Sequence, residues 1–584
     1  MIKCRFCGHD NVPGAAFCRN CGAQIPQAVQ VPQTPQAHRG PDPYYGQPPP
    51  PAQYQQQNPA YGGAPQAKPA DAGPISKIVE KAKSMPLMKI LMIALPVLVV
   101  IVAAIIVIPM LSGSSTDIVK GSITVFGNRN EVFISGNNNA KITIDGEIHS
   151  IQRNMDETKA AILVDYSYSS GGPLYYVTAS KSTKIADDVL AFRISDNGGA
   201  VAYLTDHDSR NEIATLFLYD TSSSKSTRIT EDAWYEGYGE MRGICLSPDG
   251  KTVTYISDTD PSDNEFAGYI KVGSRAAEKI GTYMYAVAVS NGGKNLYYIR
   301  GTEDGRSESL HVRSGRNENR LISDISGRVS LRFNRDYSQV IFNSDGRAYI
   351  SVNGAEKERI GGSSVYSFLL PVGTQSKSGS SGTASTTVYG LRTLTNLVVI
   401  NEDGLAYIDN KLEANRIASS SDNRYSAFIS DNGKTLIFIT NNGHLASIDP
   451  TKPNADRREI GRNVETFVAS NDGKTLYFVN NDDELYCVKG TRNPEKIADD
   501  VASFLAMPFN STRVFFLVDY GRRGGEMYYS NNGGRRTKVA SGDEVTVVWS
   551  TRTSVFFGNY DEEVFRSNGN EKFTRFAEEI DYMR

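Results

Sequence analysis

The stretch SNDGKTLYFVNNDDELYCVKG, residues 470–490, decides the fold of this chain of 584 residues. It contains a Ser-x-Asp-Gly turn, an alternating apolar and aromatic segment, an acidic turn and another such segment. Alternation with a period of two is typical of a β-strand, and an Asp-Gly or Asn-Gly pair supplies the positive φ angles of a tight hairpin. The stretch therefore predicts an antiparallel sheet built from successive hairpins.

The same pattern recurs through residues 120–584, for example as AFRISDNGGAVAYLTD at 191–206 and GICLSPDGKTVTYISD at 243–258. Alignment of the second strand of each repeat gives one anchor position per repeat, and most spacings lie near 40 residues. That period is typical of a four-stranded propeller blade. The ten anchors are Ile162, Tyr203, Tyr255, Tyr298, Phe342, Ile400, Phe438, Phe478, Phe515 and Phe557.

The repeats SPDGK at 247–251 and SNDGKTLYFV at 470–479 resemble TolB-like and related WD-type propeller repeats. The resemblance covers roughly 430 residues, implies a mainly β propeller fold, and carries no active-site residues. Ten repeats and one incomplete unit make eleven, which exceeds the four to eight blades of usual propellers. One large ring, two joined rings, or a ring with some units outside it are all open, and we expect two joined rings.

The two ends of this region predict how it closes. Residues 122–145 have the pattern of strands two, three and four of a blade, and AEEIDYMR at 577–584 has the pattern of a missing first strand. A blade shared between the ends would remove the open sheet edges. The Ser/Gly/Thr stretch TQSKSGSSGTASTT at 374–387 is expected to be a flexible inserted loop.

Four of the six cysteines lie in the first 25 residues, as two Cys-x2-Cys pairs. Two such pairs present four thiolates to one tetrahedral ion, which is the arrangement that Zn²⁺ favours. A module this small needs the metal for its folding energy, and a full thiolate shell indicates a structural site. The pattern resembles the zinc-ribbon family found at the N-termini of many bacterial membrane proteins. The predicted zinc ligands are Cys4, Cys7, Cys18 and Cys21.

The chain between the ribbon and the repeats predicts a membrane anchor. Ile90 to Leu111 is an uncharged, mostly aliphatic stretch of 22 residues, long enough to cross a bilayer as a helix. Four lysines precede it, so the positive-inside rule places the N-terminus in the cytoplasm and the repeats outside the cell membrane. The expected domains are a zinc ribbon at 1–25, a Pro/Gln-rich disordered linker at 26–74, a basic juxtamembrane segment at 75–89, a transmembrane helix at 90–111 and the propeller-like domain at 112–584.

The composition argues against several functions. A formal net charge of −3 disfavours a nucleic-acid partner, and only four histidines lie beyond the predicted helix, in separate repeats. Cys245 and Cys487 are expected to be buried free thiols, although a disulfide between them is an open alternative. No catalytic residue is identified, and the chain is predicted not to be an enzyme. The single histidines are His149, His207, His311 and His444.

The turns suggest two faces of opposite charge. First turns of the repeats carry lysines such as Lys251 and Lys474, whereas second turns carry acidic runs such as DHDSRNE at 206–212 and NYDEE at 559–563. Ordinary solvated turns and calcium binding by the acidic runs are the alternatives. Because consecutive turns of an antiparallel sheet alternate between its ends, we expect an acidic face and a lysine-bearing face.

The whole pattern favours a membrane-anchored binding, scaffold or sensor protein that is not an enzyme. Its outer propeller would be an interaction platform for a protein or glycan, and its zinc ribbon would contact a cytoplasmic protein. Two alternatives are kept: an assembly or structural factor of the cell envelope, and an external hydrolase or lyase with its site in the propeller channel.

Overall fold

The computed structural model describes residues 2–3, 10–11, 123–127, 131–135, 141–237, 241–260, 265–361, 363–419, 427–452, 456–539, 542–551, 554–567, 572–577 and 582–583. Two compact units are distinguished, Met1–Ser114 and Ser115–Arg584. The second unit, called the β domain below, consists of consecutive antiparallel sheets, as the alternation in the sequence predicts. The fold is mainly β, which confirms that part of the prediction.

We number the sheets of the β domain 1 to 11 in ring order. Sheet 1 contains β3 (Thr124–Gly127), β4 (Glu131–Ser135), β5 (Lys141–Asp145) and β48 (Tyr582–Met583). Sheets 2 and 3 contain β6 (Ile148–Arg153), β7 (Lys159–Val164), β8 (Gly172–Thr178) and β9 (Ser182–Val189), then β10 (Ala191–Ile194), β11 (Ala200–Asp208), β12 (Ile213–Asp220) and β13 (Lys225–Trp234). Sheets 4 and 5 contain β14 (Cys245–Leu246), β15 (Thr252–Asp260), β16 (Glu265–Val272) and β17 (Glu278–Thr282), then β18 (Met284–Val289), β19 (Asn295–Gly301), β20 (Glu308–Ser314) and β21 (Asn317–Ile322).

The second half repeats this plan with one insertion. Sheet 6 contains β22 (Val329–Phe333), β23 (Gln339–Ser344), β24 (Arg347–Val352) and β25 (Glu358–Arg359), joined by β27 (Ser376–Ser381) and β28 (Ala384–Tyr389). Sheets 7 and 8 contain β26 (Val365–Leu369), β29 (Leu397–Asn401), β30 (Gly404–Ile408) and β31 (Ala414–Ser419), then β32 (Ala427–Ile429), β33 (Leu436–Ile439), β34 (Leu445–Ile448) and β35 (Arg458–Gly461). Sheet 9 contains β36 (Val464–Ala469), β37 (Thr475–Asn480), β38 (Leu485–Lys489) and β39 (Glu495–Ala498). Sheet 10 contains β40 (Val501–Ala506), β41 (Arg513–Gly521), β42 (Gly524–Asn531) and β43 (Thr537–Lys538), and sheet 11 contains β44 (Val545–Ser550), β45 (Val555–Asn559), β46 (Val564–Ser567) and β47 (Thr574–Ala577). Sheets 10 and 11 are joined where Gly525 of β42 pairs with Val545 of β44.

The repeat period located the strands well. All ten anchor residues lie in the second strand of their sheets, from Ile162 in β7 to Phe557 in β45. The turn before the anchor strand has the expected geometry in sheet 9, where Gly473 has φ of +69° and its N–H donates to the Ser470 carbonyl at 2.7 Å. A side chain at that φ would be strained, so the glycine of the repeat is required by the turn.

Both ends of the β domain share sheet 1, as predicted. Tyr582 pairs with Gly127, and Met583 pairs with Phe126, so the last strand of the chain forms the edge next to β3. Phe126 is fully buried, and its ring lies 5.2 Å from Phe556 and 5.1 Å from Phe576 of sheet 11. The last complete sheet is therefore packed against the first.

The sheets pack against one another in one circular series. Each neighbouring pair of sheets, including sheets 11 and 1, shares a buried hydrophobic cluster. Two separately closed rings would need other interfaces in place of some of these, so our expectation of two joined rings is wrong. An inserted hairpin and its polar contacts occupy part of the middle of this ring, as described below.

The strand directions give the ring two rims. The loops after the first and third strands lie at one end of each sheet, which we call the first-turn rim, and the loops after the second strands lie at the other end, which we call the second-turn rim. Lys251, Lys294, Lys434 and Lys474 are exposed on the first-turn rim, whereas exposed carboxylates such as Asp208 crowd the second-turn rim. Exposed lysines are thus found on the first-turn rim and exposed carboxylates on the second-turn rim, while both rims also carry charges of the other sign.

The N-terminal unit is described at two short strands only, β1 (Ile2–Lys3) and β2 (Asp10–Asn11), which pair antiparallel. The predicted transmembrane helix at 90–111 and the linker at 26–74 lie outside the described residues. Among the residues that are described, no helix has the length and apolar character needed to span a bilayer.

Candidate functional site

The middle of the ring is bordered by the first strands and first turns. Neighbouring first turns are hydrogen-bonded to one another, for example by the Asn197 N–H to the Pro248 carbonyl at 3.0 Å and the Asp431 N–H to the Asn471 carbonyl at 2.9 Å. These contacts hold the turns in a fixed arrangement around the centre. A ligand in the middle would therefore meet backbone and side chains from several sheets at once.

An inserted hairpin lies in this middle region. It consists of β27 and β28, residues 376–389, and we call it the central hairpin. β28 runs parallel to the first strand of sheet 6 and pairs with it from Val329 with Ala384 to Phe333 with Val388. The expectation of a flexible loop at 374–387 is wrong, because the backbone of this segment is satisfied by a sheet edge that the sequence pattern did not show.

The central hairpin also contacts three sheets that are distant in sequence. The Arg193 guanidinium of sheet 3 donates to the Ser380 carbonyl at 2.7 Å. The Ser381 hydroxyl donates to the Ala286 carbonyl of sheet 5 at 2.9 Å and accepts from the Gly243 N–H, before sheet 4, at 2.9 Å. Small hydroxyl side chains suit this place, because each can satisfy backbone groups without needing an apolar pocket.

A largely buried ion pair anchors the start of the hairpin. Lys377 Nζ lies 3.1 Å from Asp196 Oδ1, and the side chains are 19% and 12% exposed. The Tyr337 hydroxyl donates to the other oxygen of Asp196 at 3.1 Å, and Lys377 also donates to the Ile194 carbonyl. Burial lowers the pKa of Lys377 and outweighs the opposing effect of Asp196. Burial, together with Asp196, holds the pKa of Tyr337 well above its usual value.

The tip of the hairpin is held by a second polar group. The Thr383 hydroxyl donates to Glu308 Oε2 at 2.7 Å, and the Tyr285 hydroxyl donates to Glu308 Oε1 at 3.1 Å. The Arg242 guanidinium lies 3.6 Å from Glu308, 4.4 Å from the centre of the Tyr285 ring and 4.9 Å from that of Trp234. The cation thus neutralises the carboxylate while it covers aromatic faces.

A cavity of about 540 Å³ remains on the first-turn rim beside the hairpin. Its walls come from sheets 2, 9, 10 and 11 and from the segment that leads into β27. Arg153 and Glu157 contribute opposite charges, and burial lowers the pKa of Arg153 while Glu157 opposes the shift. The lining residues are Arg153, Glu157, Val372, Gly373, Thr374, Gln375, Ser376, Ala469, Asn471, Met507, Pro508, Phe509, Ser550 and Thr551.

The cavity combines polar groups with an apolar wall. Gln375 Nε2 is buried without a hydrogen-bond partner among the described residues, and it lines the cavity. Met507, Pro508 and Phe509 form the apolar part. Such a mixture of an apolar wall and few convergent polar groups is typical of ligand sites. The sequence did not indicate this site, because its walls come from five separated segments.

The predicted zinc ligands Cys4, Cys7, Cys18 and Cys21 lie outside the described residues, so the zinc site stays a prediction. Cys4 and Cys7 fall in the sequence between the paired strands β1 and β2. Elsewhere, the described part of the chain contains no group of three or more His, Cys, Asp or Glu side chains arranged to hold a metal ion.

The histidines of the β domain occupy separate places. His149 stacks on Tyr166, His207 lies edge-on to Tyr235, His311 contacts Glu318, and His444 contacts Glu459. Burial lowers the pKa of His149 and His311. None of these four lines the cavity.

The two cysteines of the β domain are buried free thiols, and the alternative of a disulfide between them is not realised. Burial raises the pKa of both thiols, that of Cys487 to about 11. Because the thiolate is the reactive form, we expect both to resist iodoacetamide in the native protein at pH 8 and to react after unfolding. Peptide mass spectrometry of the labelled chain measures this, and rapid labelling of Cys487 in the folded protein would contradict its burial.

Similarity to known proteins is found among solved structures. No family model matches the chain, and no curated protein matches it. Among solved structures, TolB from Acinetobacter baumannii is 15% identical over 39% of this chain and 60% of its own, with a TM-score of 0.24. The β-propeller domain of the Trilobed protease from Pyrococcus furiosus is 15% identical over 48% of this chain and 92% of its own, with a TM-score of 0.30. The chain thus spans about 60% of the length of the first of these.

Other similar structures correct the prediction that the chain is not an enzyme. They include the tricorn protease, which is 11% identical over 73% of this chain and 61% of its own with a TM-score of 0.24. Prolyl endopeptidases and the acylaminoacyl peptidase from Pyrococcus horikoshii are also among them. Because these neighbours are peptidases, the prediction that the chain is not an enzyme is contradicted. The likeness concerns the fold, and no activity is assigned to this chain from it.

Proposed function

We propose that the chain is a single-pass membrane protein whose β domain lies outside the cell membrane and binds a partner protein through the cavity on the first-turn rim. The cavity carries this proposal, since it presents Arg153 and Glu157 beside hydroxyl, amide and apolar groups. An extended peptide offers the same mixture: backbone donors and acceptors, charged side chains and apolar side chains. The ring supplies a wide rim on which the rest of the partner would rest.

The size and rigidity of the cavity support a peptide segment as its ligand. A volume of about 540 Å³ is within the ordinary range for small-molecule sites and would take a few residues. The Asn471 side chain donates to Asn510 Oδ1, and Asn471 Oδ1 accepts from the Asn510 N–H at 3.2 Å, which fixes this wall. A wall held in this way loses little entropy when a ligand is bound.

The test is site-specific photocrosslinking in intact cells, with benzoylphenylalanine in place of Phe509. We expect one or a few partner proteins to be captured, with the crosslinked peptide coming from an extended segment of the partner. Capture should be lost when Arg153→Ala or Glu157→Gln is added. The matched control places the same probe at Tyr168 on the second-turn rim, which is 75% exposed.

Other outcomes would overturn the proposal. Capture that is equal from Phe509 and Tyr168, or unaffected by both cavity substitutions, would show that the cavity does not select the partner. Capture of glycan in place of peptide would leave a binding site but refute a protein ligand. A synthetic copy of the captured peptide should bind the purified full chain by calorimetry, and absence of heat would refute direct binding.

The zinc ribbon is the proposed cytoplasmic part of the same protein, with Cys4, Cys7, Cys18 and Cys21 as its ligands. We expect the purified full chain to contain one zinc ion per molecule by plasma mass spectrometry. Cys4→Ser should remove most of it, because a hydroxyl is a poor substitute for a thiolate. His9→Ala is the control and should retain the zinc; its loss there would contradict a four-cysteine site.

A further inference from the structure

The central hairpin has a strand edge that no other described strand covers. β27 pairs only with β28 and is the last strand of the six-stranded sheet 6. Three of its residues, Ser376, Ser378 and Gly379, are exposed. An open edge of this kind presents a row of backbone donors and acceptors with which a further strand can pair.

The register of the hairpin shows which backbone groups lie on this edge. The Gln375 carbonyl accepts at 2.8 Å from the N–H of the residue that follows β28, and positions along an antiparallel pair alternate between bonded and non-bonded. The N–H and carbonyl groups of Ser376 and Ser378 therefore point away from β28. Ser380 is the next residue in this alternation, and its carbonyl accepts from Arg193 instead of β28. Within the described part of the chain, the backbone groups of Ser376 and Ser378 have no hydrogen-bond partner.

The open edge is continuous with the cavity on the first-turn rim. Gln375 and Ser376 line this cavity, and Gln375 Nε2 is buried there without a hydrogen-bond partner among the described residues. An added strand lies only about 4.8 Å from the strand with which it pairs. A peptide in the cavity therefore needs to extend by only one or two residues to meet the free backbone groups of Ser378.

The side chains beside the edge are small, so a further backbone can approach it. Gly379 has no side chain, and the Ser378 hydroxyl lies 3.3 Å from the Thr387 hydroxyl on the same face of the hairpin. Lys377 is the charged residue of β27, and its side chain lies on the opposite face, where it pairs with Asp196. Exposed charged side chains and prolines, which commonly prevent strand addition, are thus missing from β27.

We propose that the partner's peptide binds by strand addition, extending from the cavity along the outer edge of β27 as a seventh strand of sheet 6. This rests on the proposed function, because the cavity selects the peptide. Ser376 and Ser378 offer two N–H groups and two carbonyls to the added strand. The contact of Arg193 with Ser380 ends the free edge, so the pairing covers residues 376–379.

This mode of binding defines the chemistry of the peptide. The bound segment is extended, since its backbone supplies the hydrogen bonds and its side chains alternate between two faces. Proline is excluded opposite Ser376 and Ser378, because it lacks the N–H that their carbonyls require. On the face that carries the hydroxyls of Ser378 and Thr387, serine, threonine or other small side chains fit best, because cross-strand hydroxyl pairs are favourable.

The experiment removes one N–H from the open edge. Ser378→Pro deletes the N–H that points away from β28, and an edge strand tolerates proline at such a position. Ser378→Ala is the reference, because it loses the same hydroxyl and keeps the N–H. With benzoylphenylalanine at Phe509 in intact cells, we expect Ser378→Pro to capture about tenfold less partner than Ser378→Ala, since a hydrogen bond is lost and the proline ring hinders the added strand.

Two measurements of hydrogen exchange accompany the capture. The amides of residues 384–389 should exchange equally slowly in both variants, which shows that the hairpin remains folded. In the purified complex crosslinked through Phe509, with the hairpin unsubstituted, the Ser378 amide should exchange about tenfold more slowly than in the chain alone, as expected for one new hydrogen bond. The Lys377 amide faces β28 and should change little.

Equal capture by the two variants, with residues 384–389 protected in both, would overturn strand addition and leave the cavity as the binding site. Unchanged exchange of the Ser378 amide in the crosslinked complex would also overturn it, and this measurement decides the matter if Ser378→Pro unfolds the hairpin. Crosslinked peptides from this chain itself would show that its own residues cover the edge, which would refute a partner. If the probe at Phe509 captures no protein without any substitution in the hairpin, the proposed function fails, and strand addition fails with it.

Discussion

Replacing Phe126 with alanine is expected to lower the free energy of unfolding of the β domain by about 4 kcal/mol, within the range for a buried phenylalanine. The ring of Phe126 is fully buried and contacts Phe556, Phe576 and Trp549. It is the side chain of sheet 1 in the cluster that joins this sheet to sheet 11. The loss therefore falls on the one interface at which the chain ends meet.

Chemical denaturation followed by circular dichroism measures this change. Phe126→Leu keeps most of the volume and should cost no more than about 1.5 kcal/mol, so it keeps the test valid if the alanine variant does not fold. Tyr168→Ala at an exposed site is the control and should change stability by less than about 0.5 kcal/mol. A Phe126→Ala variant as stable as that control would contradict the packing of sheet 11 against sheet 1.

Replacing Lys377 with methionine is expected to lower the free energy of unfolding by about 3 kcal/mol, the lower end for breaking a buried ion pair. The Asp196 side chain is only 12% exposed, and the substitution removes the ammonium group that faces it, while the hydrogen bond from the Tyr337 hydroxyl remains. An isolated carboxylate in such a place is costly. The central hairpin should loosen first, because Lys377 is its anchor.

The double variant Lys377→Met with Asp196→Asn distinguishes the loss of the ion pair from a general destabilisation by the substitution. It should recover most of the loss, because no uncompensated charge remains. Hydrogen exchange should show faster exchange in residues 376–389 for the single variant. Equal stability of the single variant and the wild type, with unchanged exchange of the hairpin, would contradict an anchoring ion pair.

The pH dependence of the same pair has a definite sign. Burial lowers the pKa of Lys377 in the folded protein below the usual value for lysine. Between the two values the unfolded chain binds a proton that the folded chain has lost, so stability rises with pH across that window. The wild type should therefore gain stability relative to Lys377→Met as the pH rises toward 10.5, and a loss would contradict the burial of this group.

Much of the fold could be predicted from the sequence because each sheet repeats the same local pattern of turn and strand residues. The Asp-Gly turn at Gly473 and the alternation around Phe478 are properties of neighbouring residues, so period and strand order follow from them. The shared blade was also predictable, since 122–145 lacks a first strand and 577–584 supplies one. The number of rings could not be predicted, because the repeat period does not show which sheets pack against each other.

The central hairpin and the cavity escaped prediction for one physical reason. Ser380 and Ser381 have no apolar alternation, and the strand they form is stabilised by partners such as Arg193, 187 positions away. The cavity likewise joins Arg153 to Phe509. Long-range polar contacts leave no local pattern in the sequence, so neither the hairpin nor the cavity could be predicted from it.

The pairing of Tyr582 and Met583 with β3 has a consequence for how the protein is made. Gly127 of β3 is synthesised 455 residues before Tyr582, its partner in the sheet. At about 5–20 residues per second the interval is on the order of a minute. During this time the edge of β3 is unpaired, so chaperones should recognise the unfinished chain, and removal of Tyr582 and Met583 should leave this edge open.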